Sequence, residues 1–60
     1  MIRVTKLNDM ELVINADFIE LIQSVPDTTI TLSTGQKIIV KESVDEIIDK
    51  IADYKKSIII

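Results

Sequence analysis

Sixty residues, 47% of them hydrophobic, with ten acidic and seven basic side chains and a formal charge of −3, describe one small domain built on aliphatic packing. The chain has no His and no Cys, which excludes imidazole and thiolate catalysis, metal sites made of nitrogen or sulfur ligands, and disulfides. A chain this short must then rely on a dense core, on self-association, or on both.

Read in order, Ile2 to Leu7 and Met10 to Asn15 are strand-like runs flanking Asn8-Asp9, a pair suited to a two-residue hairpin turn. Such a turn sets Leu7 opposite Met10, Lys6 opposite Glu11, Thr5 opposite Leu12, Val4 opposite Val13 and Arg3 opposite Ile14. Ile2, Val4 and Val13 then share one face, and Leu7, Met10, Leu12 and Ile14 the other. The next segment has two readings. Phe18, Leu21, Ile22 and Val25 have helical spacing, with Asn15 as a cap, while the surrounding turns and strands favour a turn at Asn15-Ala16-Asp17 and a strand over 18–24. The strand is the preferred reading. Pro26-Asp27 suits a reverse turn before a strand over 28–33, in which Ile30 and Leu32 alternate with Thr. Thr34-Gly35 marks a second hairpin, with a loop of two or three residues, leading to a strand over 36–41.

Ser43-Val44-Asp45-Glu46 is a capping box that starts a helix over 44–57. Val44, Ile47, Ile48, Ile51, Tyr54 and Ile58 recur at helical spacing as its apolar stripe. Asp45 and Glu46 lead, and Lys55 and Lys56 close, matching the helix dipole. The expected fold class is α+β, a small antiparallel sheet of four or five strands (two hairpins plus a middle strand) packed by one C-terminal amphipathic helix, all within one domain, 1–60.

No catalytic, cofactor-binding or metal-ligating residue is indicated. Ser43 has no partner base and is explained as a helix cap. Asp45, Glu46, Asp49 and Asp53 form the solvated side of the helix, and Gly35 stands alone, so no Gly-rich phosphate loop exists. Arg3, Lys6, Lys37 and Lys41 fall in different strands and read as solvated strand edges. With only Phe18 and Tyr54 aromatic and no block of like charge, no nucleic-acid partner is expected. No apolar run approaches the ~20 residues that span a bilayer, and the opening lacks a secretion signal, so the expected place is the cytoplasm.

The apolar residues left over point to an interaction surface made of Leu7, Met10, Leu12, Ile14, Ile59 and Ile60. One helix covers one sheet face, whereas the hairpin register above loads both. Curling of the sheet within one chain, or a symmetric homodimer, would cover the rest.

Several stretches together carry a family resemblance. They are Met1 to Asn8, Ile14-Asn15-Ala16-Asp17 before Phe18, Pro26-Asp27-Thr28, Ile30-Thr31-Leu32, Gly35, and Val40-Lys41-Glu42-Ser43-Val44 ahead of a helix. In order and spacing the whole chain resembles the short FlbD family of flagellar proteins, with Asp9 where a Gly is usual. The resemblance implies a cytoplasmic protein, peripheral to the flagellar basal body, that supports swimming or swarming. Its partners would be flagellar motor or stator proteins, and the family lends it no catalytic residues. A small nucleic-acid or regulatory binding domain is the alternative function, and an enzyme subunit the third.

Overall fold

The first hairpin shows how one loop residue decides which side chains are buried. The computed structural model describes the backbone of residues 1–58 and the side chains of residues 1–56. In it β1 (Ile2–Thr5) pairs antiparallel with β2 (Glu11–Ile14), with Ile2 opposite Ile14, Arg3 opposite Val13, Val4 opposite Leu12 and Thr5 opposite Glu11. This corrects the register expected from a two-residue turn by one residue. The loop holds three residues: the Lys6 amide donates to the Met10 carbonyl at 2.9 Å, the Asp9 amide donates to the Lys6 carbonyl at 3.0 Å, and Asp9 has φ 68°. A turn followed by one left-handed residue is the common three-residue hairpin closure, and Asp tolerates that region better than most side chains.

A slip of one residue redistributes the side chains between faces. Ile2, Val4, Leu12 and Ile14 now share a single face, where Ile2, Val4 and Ile14 are buried and Leu12 is partly so. Val13 turns outward beside Arg3. The apolar load on two faces, from which self-association was argued, is therefore absent from this hairpin.

Asn15 caps a single 3₁₀ turn over Ala16–Phe18, its side-chain oxygen accepting from the Asp17 amide at 3.0 Å. The chain then enters β3 (Ile19–Gln23), so the strand reading of this segment holds. A register shift between Ile19 and Leu21 inserts Glu20 as an extra residue. That bulge lets Ile19 and Ile22, three apart, both pack against the core, while Phe18 and Leu21, also three apart, are both exposed. After a cis Val25–Pro26 peptide, β4 (Thr28–Leu32) pairs antiparallel with β3 and with β5 (Lys37–Val40).

The five strands do not form one sheet, as expected, but two. β1 and β2 make one, and β3, β4 and β5, in that order, the other. The two meet along a short seam, where Lys6 bridges Val40 and the Lys41 amide donates to the Thr5 carbonyl at 2.8 Å. Pairing stops there because β1 runs into its turn at Leu7 while β5 leaves for the helix after Lys41. Helix α1 (Val44–Ile58) starts where the capping box places it, with the Glu46 amide donating to Ser43 Oγ at 3.1 Å and the Ser43 amide to Glu46 Oε1 at 3.4 Å. Ile47 is fully buried among Ile2, Val4, Ile14, Ala16, Ile30, Ile38 and Val40, with Ile51 and Tyr54 partly buried beside them. Ile48, read as part of the stripe, is 52% exposed, because it flanks the line through Ile47 and Ile51 and the small sheets do not reach it. The side chain of Ile58, and all of Ile59 and Ile60, lie outside the described residues.

Candidate functional site

The seam between the hairpins is closed at one end and open at the other. Strand alternation sets this up. In an antiparallel pair, residues alternate between bonding their partner and pointing their backbone groups to the opposite edge. The Leu32 amide donates to the Gln36 carbonyl at 2.8 Å, which identifies Leu32–Gln36 as a bonded pair. By alternation Ile38 and Val40 also bond β4, and the backbone groups of Lys37, Ile39 and Lys41 point toward the first hairpin. The same alternation from the bonded Lys6–Met10 pair turns the backbone of Thr5 toward β5.

At the closed end, the Thr5 carbonyl receives the Lys41 amide, and the Thr5 amide donates to both carboxylate oxygens of Glu42, each at 2.9 Å. The carboxylate stands where the next carbonyl of a longer ladder would have stood. Burial, the strongest influence on the Glu42 carboxyl, pushes its pKa up. The Thr5 and Glu42 backbone amides, the Thr5 side chain and the Lys50 charge together outweigh that and hold it below its ordinary 4.5. Lys41 and Asp9 form an exposed ion pair that ties the first turn to the end of β5.

At the open end lies a groove of about 490 Å³. Leu7 and Leu12 of the first hairpin and Ile38 and Ile39 of β5 give it an apolar lining, with Asn8 and Gln36 at the two turns. Lys6 and Lys37 complete it, and no carboxylate lines it. Its size falls within the ~300–1,000 Å³ typical of sites that take small ligands. A smaller hollow of about 310 Å³ lies between the chain start and α1, beside Arg3, Lys50 and Asp53.

The residues expected to form an interaction surface are thus divided. Leu7, 49% exposed, and the partly buried Leu12 come together in the groove. Met10 is exposed but outside it, and Ile14 belongs to the core. Ile59 and Ile60 are outside the described residues. Sequence reasoning missed Ile38, Ile39, Lys6 and Lys37 as one lining, since only the seam brings them together. It also missed Glu42, whose partner Thr5 is 37 residues away. Among the described residues no group of three or more carboxylates is placed to hold a metal ion, and no helix is long and apolar enough to cross a membrane.

Fold and groove together define a small domain of two antiparallel sheets and a helix with an apolar surface groove that carries two cations. The chain matches the FlbD family, described as flagellar and swarming motility proteins, over residues 1–59, and it belongs to that family. No curated protein and no solved structure matches it.

Proposed function

We propose that this FlbD-family chain is a non-enzymatic accessory protein that supports swimming and swarming by binding a protein of the flagellar motor or of its assembly. It acts in the cytoplasm, peripheral to the basal body. The observation that carries this reading is the groove: within a family tied to motility, it offers Leu7 and Ile39, each nearly half exposed, beside an otherwise closed seam. Contiguous exposed apolar side chains of this kind mark protein interaction sites more often than chemistry. The test is a deletion strain observed in viscous medium with its flagella counted. Weakened movement with filaments still built supports a motor role, loss of filaments moves the role to assembly, and normal movement contradicts the proposal.

Pairing of two copies is a second reading favoured by a different observation. Phe18, Leu21 and Val25 of the β3 region are all exposed, and a two-fold contact through them would remove apolar surface from water. Sedimentation velocity across micromolar concentrations tests it, and a mass that stays near 6.8 kDa rules it out.

A further inference from the structure

The geometry points to a specific occupant for the groove: an extended segment of another protein, with a short aliphatic stretch flanked by carboxylates, that lies along the free edge of β5. This deepens the proposed function and rests on it for the setting, though not for the chemistry.

Lys37 and Ile39 direct their amide and carbonyl groups toward the first hairpin, yet the ladder there ends at the Lys6–Val40 bridge. That bridge draws the Ile39 carbonyl toward the Leu7 amide and goes no further: among the described residues no backbone hydrogen bond joins Lys37, or the Ile39 amide, to the first hairpin. At the closed end the equivalent edge of β1 is satisfied by the Glu42 carboxylate. Beyond the Leu7–Ile39 contact the edge of β5, from the Ile39 amide to Lys37, has no such internal cover, and a partner strand is the group that satisfies it best, as in recognition by strand addition.

The lining then sets the partner's side chains. Residues opposite each other on neighbouring strands share a face. A strand lying on β5 therefore needs apolar residues against Ile38 and Ile39, where Leu7 and Leu12 form the other wall, and an acid against Lys37. Lys37 stands near the open end of this stretch and Lys6 at the bridge, so the lysines bracket the apolar part from both ends. Lys41, the next cation along β5, is already paired with Asp9. Edge lysines also discourage a second copy of this chain, since edge-to-edge pairing here would bring lysine against lysine. Charge thus selects an acidic partner over self-pairing at this edge.

The test uses uniformly ¹⁵N-labelled full-length protein titrated with the capped peptide Glu-Val-Val-Val-Glu and, separately, with Lys-Val-Val-Val-Lys. The expected result is that the acidic peptide shifts the amides of Leu7, Leu12, Lys37 and Ile39 and slows exchange at Lys37 and Ile39. The basic peptide does neither. The double variant Lys6→Glu/Lys37→Glu, checked as folded by its own amide spectrum, weakens the acidic peptide by about tenfold or more and gains binding of the basic one. The inference is overturned if groove amides stay still at millimolar acidic peptide, if both peptides bind equally, or if the shifts fall on Phe18 and Leu21 instead. Because the titration is made on the isolated protein, its failure leaves the motility proposal standing. That proposal falls only with a deletion strain that swims normally.

Discussion

The two hairpins close with the same loop and meet its one difficult position differently. In the first, Lys6 and Met10 flank Leu7-Asn8-Asp9; in the second, Leu32 and Gln36 flank Ser33-Thr34-Gly35. Each loop has the same two backbone hydrogen bonds, and in each the middle side chain accepts from the amide two residues on, Asn8 Oδ1 from Met10 at 3.1 Å and Thr34 Oγ1 from Gln36 at 3.5 Å. The left-handed position is Gly35, φ 92°, in one loop and Asp9, φ 68°, in the other. Gly takes that conformation without steric cost, whereas an Asp pays some of it. What the Asp supplies in return is a carboxylate for Lys41, which links the first turn to β5 beside the groove. One loop is shaped for folding alone, and the other also ties the two sheets together.

The two hairpins share one core, so neither should stand alone. Ile30 of the three-stranded sheet and Val4 of the two-stranded one are both completely or nearly completely buried in a single core. Ile30→Ala should cost roughly 2–5 kcal/mol, a large share of the stability of so small a domain. Both hairpins should be lost in one transition in urea, followed by circular dichroism and by amide exchange. A first hairpin that stays protected after the second has melted would mean that they are independent.

Next in size is the seam. Glu42 carries a carboxyl held below 4.5, so its contribution is complete above the unfolded value and is lost as pH falls through the folded one. The wild-type protein should therefore lose stability as the solution is acidified below about 4.5. Glu42→Ala should be less stable at neutral pH by about 1–3 kcal/mol, because it leaves the Thr5 amide without its acceptor, and its unfolding should depend less on acid. Urea midpoints measured from pH 7 down to 3 check both.

The smallest effects lie in the loops themselves. A Cβ at Gly35 meets no atom within 4 Å, so Gly35→Ala is opposed by backbone conformation alone and should cost about 1–2 kcal/mol. Asp9→Gly removes the same kind of strain but also removes an exposed ion pair worth roughly 0–1 kcal/mol. Its net effect should be within about 1 kcal/mol of zero and turn clearly stabilising when Lys41→Ala is already present. Thermal midpoints of the single and double variants measure the difference.

Turn chemistry and the capping box were legible in the sequence because they depend on neighbours a few residues apart. Asn8, Asn15, Gly35 and Ser43 all mark the turns or caps they were expected to mark. The first register was missed by one loop residue: counting Leu7 within the loop, not as the partner of Met10, exchanges the Lys6–Glu11 pairing for one that puts Ile2, Val4, Leu12 and Ile14 together. Requiring one wholly apolar face would have selected it. The bulge at Glu20 gave this strand its rival helical reading, since an inserted residue changes the spacing of Phe18 and Leu21 from two to three. The division into two sheets, the Glu42 carboxylate on Thr5 and the convergence of Lys6 and Lys37 were not legible, because each depends on which strands meet across the seam.

Hydrogen exchange at four amides of the free protein reads the seam directly. Thr5 and Lys41, bonded to Glu42 and Thr5 respectively, should be protected, whereas Lys37 and Ile39, facing the groove, should exchange at least tenfold faster than their neighbour Ile38. Protection of Lys37 and Ile39 equal to that of Ile38 would show that the seam is closed along its whole length, and would contradict the groove and the function drawn from it.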